Sequence, residues 1–205
     1  MNKTVYLVMP CYNEEEVLVE TAQRTKQVYD KLIAKKLISV KSKICFVNDG
    51  STDKTWNIIS ELCGKEDMFI GISLSKNFGH QNAILAGMNE VKEMRDAVIT
   101  IDADLQQDIN KIEEFILKYY DGNEIVYGVR TSRKTDSWFK KNTATGFYKL
   151  LNLFGCEILP NHADYRLISS KAINNLMEFK EVNLFLRGII PMIGYKSDIV
   201  YFEVA

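Results

Sequence analysis

Asp102 and Asp104 stand one residue apart at the end of the apolar run Ala97-Val98-Ile99-Thr100-Ile101. Two carboxylates this close crowd negative charge, which is unfavourable unless a cation is shared between them. Hard oxygen ligands of this kind suit Mg²⁺ or Mn²⁺, and such an ion can bridge to the phosphate oxygens of a ligand. A D-x-D pair arises about once by chance in a chain of this length, so its place in the fold decides its meaning. Basic residues supply the complement. Arg130, Arg133, Lys134, Lys140 and Lys141 cluster in one stretch, either around anionic phosphates or as a solvated helix face. Asp164 and Arg166 flank Tyr165 and read as a catalytic carboxylate or as an internal ion pair.

Positioning these groups falls to short β-rich runs at 4–9, 43–48, 69–74, 97–102 and 124–128, which alternate with segments of helical period at 14–34, 53–63, 81–91 and 108–120. Asn13 and Glu16 have the spacing of a capping box, Ser51 and Thr52 are candidate caps for the second helix, and Gly122 can stop the fourth. The alternation predicts an α/β fold with a mainly parallel central sheet and helices on both faces. Past Gly128 the pattern gives helices at 137–154, 170–177 and 183–192 and strands at 163–168 and 197–204. In a parallel sheet the loops after successive strands gather on one edge, where ligands bind. Those loops carry Pro10, Tyr12, Asn13 and Glu14, then Asn48 to Ser51, then Asn77, Gly79 and His80, then Asp102, Asp104, Gln106 and Asp108. Singly, many of these are ordinary turn and cap residues.

At 205 residues the chain is one domain. Its 26 basic and 27 acidic residues nearly cancel, which leaves no global field for nucleic acid. Cys11, Cys45, Cys63 and Cys156 lack C-x-x-C spacing and read as reduced cysteines of a cytoplasmic protein. The start shows no basic region followed by a long apolar one, and no segment reaches the roughly 18 apolar residues of a membrane span. Neither G-x-G-x-x-G nor G-x-x-x-x-G-K-[ST] occupies the first turn, which reads Pro10-Cys11-Tyr12-Asn13-Glu14. An aspartyl phosphatase would carry its D-x-D after the first strand and continue to Thr, whereas this one follows the fourth and continues to Leu105-Gln106.

The ordered set Met9-Pro10-Cys11-Tyr12-Asn13-Glu14, Val47-Asn48-Asp49-Gly50-Ser51-Thr52-Asp53, Asn77-Phe78-Gly79-His80-Gln81 and Asp102-Ala103-Asp104-Leu105-Gln106 resembles the inverting glycosyltransferases of family 2, with the Rossmann-like GT-A fold. The likeness is to the polyisoprenyl-phosphate branch, and Gly128-Val129-Arg130 with Arg133, Asp164-Tyr165-Arg166-Leu167 and Phe185-Leu186-Arg187-Gly188 extend it over nearly the whole chain. The resemblance implies one catalytic domain over 1–205, with a nucleotide-sugar part at 1–128 and an acceptor part at 129–205 that stops before membrane helices. It implies that Pro10, Tyr12, Glu14 and Asp49 surround base and ribose, and that Asp102 lies near ribose and diphosphate. Asp104 and Gln106, beside Asp102, would hold Mg²⁺ or Mn²⁺. Arg130, Arg133 and Lys141 would meet a lipid phosphate, and Asp164 and Asp104 would be catalytic.

The implied reaction moves a sugar from a UDP- or GDP-sugar to a polyprenyl phosphate at the cytoplasmic face of the membrane, with inversion, in a chain that could form homo-oligomers. Two departures stand out: Gln107-Asp108-Ile109 replaces the usual Asp-Pro-Pro, and the Arg-x-x-Gly-x-Ser-Lys segment expected after the last strand is absent. The competing readings are a family 2 transferase acting on a glycan hydroxyl, with Asp164 as base, and a silent domain that binds a nucleotide sugar or a partner.

Overall fold

A strand covered on both faces cannot alternate polar with apolar residues, so it appears as a continuous apolar run. This holds for β1 (Val5–Cys11), β2 (Ile44–Asn48) and β4 (Ala97–Thr100), each buried along its whole length. The structure, a computed structural model, describes residues 2–131, 162–179 and 185–204. With β3 (Phe69–Ser73), β5 (Ile125–Arg130), β6 (His162–Ser169) and β7 (Ser197–Phe202), these strands form a seven-stranded sheet in the order β3-β2-β1-β4-β6-β5-β7. All neighbours are parallel except β6, which runs antiparallel to both β4 and β5.

The helices are α1 (Leu18–Ala34), α2 (Thr55–Lys65), α3 (His80–Glu90), α4 (Ile112–Tyr120), α5 (Ser170–Leu176) and α6 (Leu186–Met192). One apolar cluster joins α1, α2 and α4 to Leu7, Phe46, Ile99, Tyr165 and Leu167 of the sheet. The other joins α3, α5 and α6 to Val8, Val47, Val98 and Ile168. Alternate residues of the same strands thus serve opposite faces, and the fold is the expected three-layer α/β arrangement. Among the described residues no helix is long and apolar enough to cross a membrane.

Several expected boundaries move. Asn13 does not cap α1; the helix begins at Leu18, after Val17, with no side-chain cap. Asn13 instead sits at φ 55 and its Oδ1 accepts from Thr52 N at 2.9 Å. Ser51 accepts from Asn13 N at 3.0 Å rather than capping α2, and Asp53 satisfies Thr55 N at 2.9 Å. These polar side chains are used between loops, where backbone donors need partners as much as helix ends do. Asp108 caps a 3₁₀ turn, Ile109–Lys111, ahead of α4. The helix expected at 137–154 lies outside the described residues, as do Arg133, Lys134, Lys140, Lys141 and Cys156.

Candidate functional site

The carboxyl ends of β1, β2 and β4 meet the start of α3 around a cleft of about 310 Å³. Pro10, Tyr12, Glu14, Asp49, Asp102 and Asp104 all line it, together with Cys11, Asn77, Gly79, His80 and Ala103. Cys11 is 1% exposed, and burial pushes its thiol up, helped by the charge of Glu14.

The first two loops are tied together. Besides the Asn13 contacts, Glu14 N donates to Thr55 Oγ1 at 2.8 Å, Glu15 N to Asp53 Oδ2 at 3.2 Å, and Lys54 N to Glu15 Oε2 at 2.9 Å. The third loop is held by Asp49, whose carboxylate accepts from Phe78 N at 2.7 Å and Gly79 N at 3.0 Å. Gly50 makes this close approach feasible. Its φ is +66, and a Cβ there would run into the backbone of Lys76 and Asn77.

At the end of β4, Asp104 Oδ1 accepts from Gln106 N at 3.0 Å. Gln106 itself is exposed, and its side chain is not among those lining the cleft. Asp102 Oδ1 is buried without a hydrogen-bond partner. Such an acceptor is costly unless a charged neighbour or a ligand meets it, and His80 Nε2 approaches it at 3.4 Å. Burial raises the Asp102 carboxyl, with the charges of Asp104 and Asp164 adding to the effect and those of His80 and Arg130 opposing it. Glu14 is raised by burial and by Asp104, Asp53 and Asp102. The cleft therefore concentrates negative charge that a divalent cation would relieve. One or two carboxylates completed by phosphate oxygens and water suffice for Mg²⁺, so Asp102 and Asp104 fit such an ion.

Asp164, on β6, belongs to the same assembly. His80 Nε2 lies 3.4 Å from Asp102 Oδ1 and 3.5 Å from Asp164 Oδ2. Arg187 Nη2 donates to Asp164 Oδ2 at 2.8 Å, and the fully buried Arg166 pairs with Asp164 Oδ1. The internal ion pair is thus real, yet Asp164 also faces the cleft-lining His80. Burial works to raise the Asp164 carboxyl, but hydrogen bonds from His80 and Arg187 and the charges of Arg166 and Arg187 outweigh it and hold the group well below the carboxylate range. The hydrogen bond to Asp164 in turn raises His80, with Asp102 adding to it while burial and Arg187 oppose. Arg130 is exposed at the end of β5, outside the cleft lining. His80 and Arg187 have no role assigned from the sequence, although both stand within motifs that carry the family resemblance.

Residues 6–177 match the family described as glycosyl transferase family 2. The uncharacterized glycosyltransferase YkoT of Bacillus subtilis is 51% identical over 96% of this chain and 58% of its own length. A prophage bactoprenol glucosyl transferase homolog of Escherichia coli is 36% identical over 96% of this chain and 62% of its own length. The chain therefore spans about three fifths of these relatives. Among solved structures, the mannosyltransferase PcManGT of Pyrobaculum calidifontis, in complex with GDP-Man and Mn²⁺, superposes with a TM-score of 0.64 at 15% identity, covering 100% of this chain and 57% of that one. That likeness shows a shared GT-A fold. On the extent of the family match and the identity to its members, the chain belongs to glycosyl transferase family 2.

Proposed function

We propose that this chain is the catalytic domain of an enzyme that transfers a sugar from a nucleotide diphosphate sugar to a polyprenyl phosphate, using Mg²⁺ or Mn²⁺ and inverting the anomeric centre. The observation that carries the reading is the cleft at the sheet edge, which Asp102 and Asp104 both line, with Asp102 Oδ1 buried and without a hydrogen bond. Pro10, Tyr12, Glu14 and Asp49 would receive the nucleoside end of the donor. Asp104, with Asp102, would hold the cation. A bound cation supplies positive charge where the departing diphosphate gains negative charge. The lipid carrier is supported by the bactoprenol glucosyl transferase relative, and Arg130, Arg133 and Lys141 would meet its phosphate.

In the reaction an oxygen of the acceptor phosphate bonds to the anomeric carbon from the face opposite the diphosphate. The bond from that carbon to the diphosphate oxygen breaks, and the nucleoside diphosphate leaves with the electron pair. A phosphate acceptor already offers an ionised oxygen near neutral pH and needs little general-base help. Asp164, paired to Arg166 and Arg187, is a weak base in this setting, which favours an orienting role over proton abstraction. A glycan hydroxyl acceptor would need a better base.

The test supplies purified protein with UDP- and GDP-sugars, Mn²⁺ and undecaprenyl phosphate in vesicles, and follows labelled sugar into the lipid phase. Transfer that stops on chelation of the metal is the expected result. Donor binding without transfer to any acceptor would point to a silent nucleotide-sugar-binding domain instead.

A further inference from the structure

Gln107 is 3% exposed, and both ends of its amide are directed at a single residue. Its Nε2 donates to Asp102 Oδ2 at 2.5 Å, while its Oε1 accepts from Asp102 N at 3.4 Å. The loop between them turns back through Leu105 at φ 59, and the backbone of Gln107 forms an antiparallel bridge to Val204, just past β7. Gln107 lines a second cavity with Leu105, Asp108 and Val204, not the cleft, and its amide holds Asp102 from outside the cleft lining. With Oδ2 engaged, Oδ1 is the buried oxygen left without a hydrogen bond, with His80 Nε2 3.4 Å away.

We propose that Gln107 is a positioning residue of the donor site: it fixes the Asp102 carboxylate so that Oδ1 is presented to the cation and ribose hydroxyls of a bound nucleoside diphosphate. The inference rests on the donor-site reading above. An amide suits the task because it donates to a carboxylate without adding charge to a cleft that already holds Glu14, Asp49, Asp102 and Asp104. A glutamate, of the same length, would bring a like charge against Asp102 Oδ2.

The test is a double-mutant cycle read by calorimetric titration of UDP and of GDP in the presence of Mn²⁺. Gln107→Ala should weaken binding of the accepted nucleotide about ten-fold, the worth of one hydrogen bond to a charged group. Gln107→Glu, nearly isosteric, should weaken it at least as much and serves if the alanine variant unfolds. In an Asp102→Asn background, Gln107→Ala should change affinity less than about two-fold, since the residue acts through the Asp102 carboxylate. In the transfer assay the loss from Gln107→Ala should fall on donor KM rather than kcat. Wild-type affinity in folded Gln107→Glu, or equal losses in both backgrounds, would reduce Gln107 to a loop brace and overturn the proposal. Failure of the wild-type protein to bind either nucleotide would sink the donor-site reading itself, and this inference with it.

Discussion

Replacing Asp164 with Asn removes the counter-charge of Arg166, a guanidinium left 1% exposed in the sheet and already holding one unpartnered buried nitrogen, Nη1. Breaking a buried pair by deleting one partner costs about 3–5 kcal/mol, because the remaining charge stays buried. Asparagine keeps one acceptor oxygen, and the half-exposed Arg187 can turn to water, so the lower end applies, about 3 kcal/mol. In a domain of this size that lowers the melting temperature by about 6–12 °C near neutral pH. The effect carries a pH signature of definite sign. The folded-state carboxyl of Asp164 is depressed, so its contribution is fully present above the unfolded aspartate value of about 3.9 and is lost as pH falls through the folded value. Thermal melts of both proteins from pH 7 to pH 3 should show a gap that is widest near neutrality and narrows below about pH 4. A melting point for Asp164→Asn within about 2 °C of wild type, or a gap that does not narrow on acidification, would refute the reasoning.

Other substitutions test the loops that shape the cleft and one ion pair away from it. Gly50→Ala forces a side chain into a left-handed conformation against the backbone of Lys76 and Asn77; the conformation alone costs about 1–2 kcal/mol, and nucleotide affinity should fall with stability, whereas a drop in neither would contradict the close approach. Asp53→Ala frees Thr55 N and Glu15 N and should cost about 1 kcal/mol, the worth of a helix cap, read as a small loss in urea midpoint at unchanged slope. Lys118→Met breaks a part-exposed pair with Asp198 and should shift stability by less than about 1 kcal/mol; a larger loss in the same titration would mean the pair is shielded from solvent.

Much of this was legible in the sequence, for physical reasons. Parallel strands covered on both sides must be apolar throughout, so β1, β2 and β4 announce themselves, and the loops at their carboxyl ends follow from the direction shared by such strands. The antiparallel course of β6 left no such mark. Its period-two pattern, with Tyr165 and Leu167 in one apolar cluster and Ile168 in the other, reads the same in either direction, so the approach of Asp164 to His80 was hidden. Asn13 and Ser51 were misread because a side-chain oxygen that suits a helix end suits a loop amide equally well. Gln107 was visible only as a departure from a motif; its grip on Asp102 depends on the turn at Leu105, which a non-glycine residue at positive φ does not signal.

The central claim, a metal-dependent site for a nucleoside diphosphate built on Asp102 and Asp104, is tested most directly by titrating UDP and GDP into wild-type protein and Asp104→Asn, each with Mn²⁺ and with chelator. Wild type should bind one of the nucleotides with Mn²⁺ and lose most of that affinity on chelation, while the folded Asp104→Asn protein binds weakly under both conditions. Metal-dependent affinity that survives intact in Asp104→Asn would contradict the account.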